Sequence, residues 1–145
     1  MELAEVEFTA RLNSVVDRAE VIRSALGAAG VAESSMREFA EATEVIVHKE
    51  SAWKPDAVVT LGEGKRMNDG APYAAQRGLT QLTPWAFAEH HVPGTSVCIY
   101  DPVANIAAAW RLVGVTHGVD LETGRGLAEF MADVHANPGA WFAGR

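Results

Sequence analysis

Glycine and proline are nearly absent from the first 54 residues, where only Gly27 and Gly30 occur, and crowd into residues 55–102. A chain divided this way can run long uninterrupted elements at its start and must turn often in its middle. In the first stretch Leu12, Val15, Val16, Ala19, Ile22 and Leu26 recur at helical spacing, and the run stops at Gly27 and Gly30. That spacing predicts an amphipathic helix over 3–27. Ser35 stands three residues before Glu38, the pattern of a capping box. Met36, Phe39, Ala40, Thr43, Ile46, Val47 and Glu50 share one face of the helix that follows, and Pro55 ends it by about Trp53 or Lys54.

Residues 56–77 have no sustained period, and Gly62, Gly64, Gly70 and Pro72 mark them as a long loop. Loops of this length in a small domain are usually functional or mobile, and 58–77 is expected to be the most mobile part of the central region. Thr83-Pro84 and Asp101-Pro102 each read as an N-cap followed by proline in the first helical turn. The first opens a short helix through Trp85, Phe87 and Ala88. The second carries the stripe Val103, Ile106, Ala107, Trp110 and Val113 as far as Gly114 or Gly118. A last helix over 126–135 bears Leu127, Met131 and Val134. Five helices, 25 alanines and no convincing strand alternation predict an all-α fold with minimal β.

The chain has 145 residues, 48% of them apolar, which suits one domain with a single core. Twelve Lys and Arg against 19 Asp and Glu give −7, which disfavours nucleic-acid binding through bulk positive charge. Cys98 stands alone, so neither an internal disulfide nor a cysteine-type zinc site can form. His48, His90, His91, His117 and His135 show no metal-binding spacing, and Gly64-Lys65 lacks the rest of a P-loop. No metal and no cofactor are expected. A peptidase pairing Cys98 with His90 or His117 is disfavoured, because nothing places the thiol at a helix N-terminus. No apolar run has membrane-spanning length, and the acidic start MELAEVEF does not read as a signal peptide. Synthesis in a cytoplasm without membrane insertion is the expectation.

Glu50 is out of place on an apolar face. It lies three residues after Val47 and four after Ile46, at the C-terminal end of a helix whose dipole opposes a carboxylate. Spacing leaves two placements open: turned into the protein, or bent outward over the loop. If it is turned inward and mostly buried, burial and the dipole both favour the protonated acid, which can donate to a leaving oxygen.

Three segments in order extend this reading: His48-Lys49-Glu50-Ser51-Ala52-Trp53-Lys54-Pro55-Asp56-Ala57, then Gly78-Leu79-Thr80-Gln81-Leu82-Thr83-Pro84, then Tyr100-Asp101-Pro102-Val103-Ala104-Asn105-Ile106-Ala107-Ala108. Over about residues 44–114 the chain resembles the lysozyme-like lytic transglycosylase domain, the superfamily of soluble lytic transglycosylases and goose-type lysozyme. Its details look like the short versions in phages of actinobacteria, in endolysins or tape-measure proteins. The resemblance implies a lysozyme-like helical domain with a long groove-lining loop, spanning 1–145 alone or as one module of a larger lysin. It implies cleavage of the bond between N-acetylmuramic acid and N-acetylglucosamine in peptidoglycan glycan strands, leaving 1,6-anhydromuramic acid ends. It also implies action at the cell wall, after release from a host cytoplasm or as part of a virion.

Carried over by position, Glu50 matches the catalytic acid/base and Ser51 the serine that positions groups near it. Gln81 matches the glutamine lining the saccharide groove, Gly78 allows close backbone approach there, and Asn105 is structural or groove-facing. Two departures stand out. Thr80 replaces the motif methionine that would floor the groove, and the family's later Ala-Tyr-Asn motif is absent, which leaves Tyr73 or Tyr100 to supply a tyrosine. Of the large aromatics, Trp110 reads as core, Trp85 as core or groove, and Tyr73 as the best groove candidate. Asp56, Glu63, Asp69 and Asp101 are candidates for a second carboxylate, which a hydrolytic muramidase would need; Asp101 is more simply an N-cap. A non-catalytic peptidoglycan-binding or virion module of the same fold is the other alternative.

Overall fold

Helix α1 (Arg18–Ala29) begins where Asp17 accepts a hydrogen bond from the Glu20 N–H at 3.1 Å, so it starts well after the residue 3 expected from periodicity. The computed structural model describes residues 1–9 and 14–137. Leu12, expected in the α1 stripe, lies outside them, and Val16 is 97% exposed rather than core. Ile22, Ala25, Leu26 and Ala29 form the buried face of α1.

Before α1, Leu3–Glu5 makes a single 3-10 turn and the chain then extends. The Glu7 N–H donates to Val97 O and the Ile99 N–H to Glu7 O, both at 3.0 Å, a parallel bridge between Glu7 and Cys98. The physical reason lies in residues 5–9: Val6 and Phe8 are buried while Glu5, Glu7 and Thr9 are exposed. That is a period of two, so this stretch buries its apolar side chains as an extended strap and not as a helix.

Helix α2 (Met36–Ser51) follows a 3-10 turn over Glu33–Ser35. Ser35 is its N-cap residue without forming the expected capping box: its backbone is helical (ψ −1°) where a capping residue is extended, and its hydroxyl donates to Glu122 O at 2.7 Å. Phe39, Ala42, Thr43, Ile46 and Val47 are buried along α2. Helices α3 (Pro84–His90) and α4 (Pro102–Thr116) start as their sequences require: Thr83 accepts from the Ala86 N–H, Asp101 accepts from the Ala104 N–H, and a proline occupies the first turn of each. Helix α4 passes through Gly114 and ends at Thr116. Helix α5 (Leu127–Ala136) closes the described chain.

The fold is all-α, with isolated β-bridges and no sheet among the described residues. Helix α4 is its axis. Ala104 through Trp110, Leu112 and Val113 are all buried, so this helix is apolar on nearly every side and packs against α1 and α3. Trp110 is core, as its spacing predicted. Its indole N–H donates to Thr43 Oγ1 at 2.9 Å, and its ring meets Phe39 and Phe130 edge-on with centroids 5.0 and 6.0 Å apart. Truncating such a residue to alanine costs about 3–5 kcal/mol. No helix among the described residues is long and apolar enough to cross a membrane.

Candidate functional site

Glu50 is the penultimate residue of α2 and half-buried. The expectation of a mostly buried carboxylate is met only in part, because the helix stops one residue later and leaves Glu50 at its rim. Termination is abrupt: Ala52 (φ 51°) and Trp53 (φ 63°) both adopt the left-handed conformation. Each non-glycine residue held there costs about 1–2 kcal/mol. Burial of the Trp53 indole, with the Arg18 guanidinium carbon 4.9 Å from its ring centroid, offsets part of that strain. His48 and Lys49 lie in the last turn, where positive charge complements the helix dipole. Ser51 is buried and its hydroxyl donates to Val47 O at 3.1 Å, so the bond it makes here is a helix-end bond.

The segment after α2 is tied to the second motif through a single carbonyl. Ala57 O accepts from the Gly78 N–H at 2.9 Å and from Gln81 Nε2 at 3.1 Å. Residues 78–81 form a tight turn closed by Arg77 and Leu82, which exchange both backbone hydrogen bonds at 2.8 and 3.0 Å. Gln81 sits in the left-handed region (φ 60°), half-buried. Its amide also caps Gly78 O at 3.0 Å, and Gln76 Nε2 donates to its carbonyl at 2.8 Å. Strained non-glycine backbone of this kind is concentrated at functional sites.

Asn105 joins this turn to α4. Its Oδ1 accepts from the Thr80 N–H at 2.8 Å and the Thr80 hydroxyl at 2.6 Å, while its Nδ2 donates to Arg77 O at 3.1 Å and Ile99 O at 2.9 Å. Asn105 is fully buried, and both amide hydrogens are occupied within the protein. Of its two readings, structural or groove-facing, the geometry is structural. Thr80, too, is not a weakened groove floor: it is 2% exposed and bonded to Asn105. Gly78 does allow a close approach, but the approaching group is the Asn105 amide.

A buried ion pair lies behind the same turn. Arg77 is fully buried, and its Nε donates to Asp69 Oδ2 at 2.6 Å. The rest of the guanidinium reaches Asp69 Oδ1 and the carbonyls of Ala71, Pro72, Tyr73 and Ala75, and its carbon lies 4.7 Å from the Phe8 ring centroid. The Tyr100 hydroxyl donates to Asp69 Oδ2 at 2.5 Å. Burial works against the Asp69 carboxylate, but the hydrogen bonds from Arg77, Tyr100 and the Ala71 N–H, with the guanidinium charge, outweigh it and hold the pKa below its ordinary value. Burial and the neighbouring Asp69 push the Tyr100 phenol up. Sequence reasoning missed Arg77. Its partner is eight residues away in an aperiodic loop, a separation that no helical or strand rule would pair.

Tyr100 is thus almost fully buried with its hydroxyl bonded to Asp69, whereas Tyr73 is half-buried. The Tyr73 ring stands edge-on to Trp85 with centroids 5.0 Å apart. It lines a groove of about 460 Å³ with Phe8, Val6, Met67 and Asn68. Burial raises the Tyr73 phenol pKa, against the opposing charge of Arg77. Among the candidate second carboxylates, Asp69 is held by Arg77 and Asp101 caps α4. Asp56 is half-buried and Glu63 exposed. Cys98 is buried, with its thiol 3.0 Å from Thr9 O. Among the described residues no three His, Cys, Asp or Glu side chains converge as a metal site. The chain matches no protein-family profile, no curated protein and no solved structure.

Proposed function

We propose that this protein cleaves the β-1,4 bond between N-acetylmuramic acid and N-acetylglucosamine in bacterial peptidoglycan, with Glu50 as general acid/base. One observation carries the reading. The three segments that resemble the lytic transglycosylase motif, far apart in the chain, are joined by Ala57–Gln81 and Thr80–Asn105 hydrogen bonds, and the first of them carries Glu50, half-buried at the end of α2.

In this reading Glu50 protonates the glycosidic oxygen as the C1–O bond breaks. Its carboxylate then takes the proton from the muramic acid 6-hydroxyl as that oxygen bonds to C1, and the acid is restored. The internal hydroxyl is already in place, so no water need be recruited and oriented. Asp69 and Asp101 have structural partners, which leaves Asp56 and Glu63 as the carboxylates that hydrolysis would need. Tyr73 is assigned to the glycan groove, and the half-buried Gln81 to the glycan through its side-chain oxygen, since its amide nitrogen already serves Ala57 O and Gly78 O. The protein would meet its substrate at the wall, after release from a host cytoplasm or within a virion.

Clearing of chloroform-treated cells by wild type beside Glu50→Gln tests the enzyme reading. Wild type is expected to clear the suspension and the variant to leave it turbid; equal behaviour would favour a non-catalytic wall-binding module. Mass spectrometry of the released fragments then separates outcomes. Anhydromuramic ends, lighter by one water, support the transglycosylase, and reducing muramic acid ends would establish a muramidase.

A further inference from the structure

We propose that Arg77 is a positioning residue for glycan binding, acting through the turn that presents Gln81. This rests on the functional reading above. Arg77 is tied to both residues assigned to the glycan: Tyr73, which lines the groove of about 460 Å³, and Gln81, which is not among that groove's lining residues. Its guanidinium gathers the carbonyls of Ala71, Pro72, Tyr73 and Ala75, which sets the backbone that carries the Tyr73 ring. Its own N–H and C=O pair with Leu82 and close the turn around Gly78–Gln81, and its C=O also receives Asn105 Nδ2. A shift of Arg77 is therefore passed to the Tyr73 backbone through the guanidinium and to the Gly78–Gln81 turn through the backbone pairing of Arg77 with Leu82.

A merely space-filling residue would not need this arrangement. An apolar side chain of similar volume fills such a position without the desolvation of two charges, so a buried ion pair is weak evidence for stability as such. What the pair supplies is direction. Five guanidinium donors in a fixed plane admit one arrangement of the carbonyls around them. Asp69 is held in turn by the Tyr100 hydroxyl and the Ala71 N–H, and the Phe8 ring of the N-terminal strap covers the guanidinium face. The left-handed Gln81 lies at the end of this chain of contacts, where loosening would let it relax.

The test is a double-mutant cycle on soluble peptidoglycan fragments, with Arg77→Lys and the milder Tyr100→Phe, each alone and combined with Gln81→Ala. Tyr100→Phe removes one hydroxyl from Asp69 and keeps the ring, so it serves even where Arg77→Lys fails to fold. In the wild-type background both are expected to raise KM, Arg77→Lys by roughly tenfold or more, with kcat little changed. In the Gln81→Ala background the increase should shrink, the part transmitted through Gln81 vanishing and the part passed to Tyr73 remaining. Hydrogen exchange at the Gln81 and Leu82 amides should quicken in Tyr100→Phe. Additive effects in the two backgrounds, or an unchanged KM beside a lowered melting temperature, would overturn the positioning role. A wild type that clears no wall would overturn the functional reading as well, which distinguishes the two failures.

Discussion

A β-carbon on Gly78 would lie 2.4 Å from Asn105 Nδ2 and 3.1 Å from Ile99 O, so the second and third motif segments meet at van der Waals contact through a residue that has no side chain. Gly78 also holds φ at 86°. Gly78→Ala is therefore expected to destabilise the protein by about 2–5 kcal/mol, from the backbone conformation and the overpacking together. Gly64→Ala is the control: its φ is 107° but nothing lies within 4 Å. There the loss should be the conformational part alone, about 1–2 kcal/mol. Denaturant unfolding of the two variants checks the difference, and equal losses would mean that the Asn105 contact yields.

Acid should loosen the fold through Asp69. Folding lowers its pKa from the ordinary 3.8, so in the acid range the unfolded chain binds more protons than the native one. The stability this supplies is fully present above the ordinary value and disappears as pH falls through the lower, native value. Asp69→Asn should weaken the protein at neutral pH by about 3–5 kcal/mol, since it leaves the Arg77 charge buried without its partner. It should also flatten the acid limb of stability against pH. Urea unfolding across the acid range reads both, and an unaltered acid limb would exclude Asp69 as its source.

Ala52 should be improvable. It is exposed, in the left-handed conformation, at the position where helices favour glycine. Ala52→Gly is expected to stabilise by about 0.5–1 kcal/mol, the relieved strain exceeding the added freedom of the unfolded chain. A lower melting temperature in the variant would show that the strain is smaller than its dihedral angle implies.

The long loop should not exchange uniformly. The amides of Met67, Gly70, Tyr73 and Arg77 all donate within the fold, and Arg77 clamps residues 69–75 from behind. Residues 59–65 are exposed, including Leu61 at 83%. Hydrogen exchange is expected to be fast over 59–65 and slow over 67–77. The expectation of mobility over the whole of 58–77 thus narrows to its first third, and fast exchange throughout would show the ion pair to be ineffective as a clamp.

Glu50→Gln should abolish turnover while changing stability by less than about 1 kcal/mol. The amide keeps the shape and hydrogen-bonding capacity of the protonated acid but has no acidic proton to donate. Calorimetry beside the clearing assay checks both, and a large fall in melting temperature would make Glu50 a structural residue.

Where local rules govern, the amino-acid sequence alone was enough. Thr83-Pro84 and Asp101-Pro102 start α3 and α4 because a side-chain acceptor and a fixed φ act within one turn. The apolar stripe of α2 and the burial of Trp110 follow from a period of 3.6 that needs no distant partner. The strap over residues 5–9 was legible as well, in the alternation of Val6 and Phe8 with charged and polar neighbours, but it was hidden inside a longer stretch that fits a helix. Tertiary structure decided the rest. Ser35 makes no capping box and gives its hydroxyl hydrogen to the carbonyl of Glu122, 87 residues away. Asn105, Thr80 and Gly78 became one joint, and Arg77 with Asp69 became the clamp behind Gln81. Each of these is a choice among hydrogen-bond partners that lie close only after the chain has packed. Burial makes a missing partner expensive, so the folded surroundings, and not the neighbours in sequence, select which bond is made.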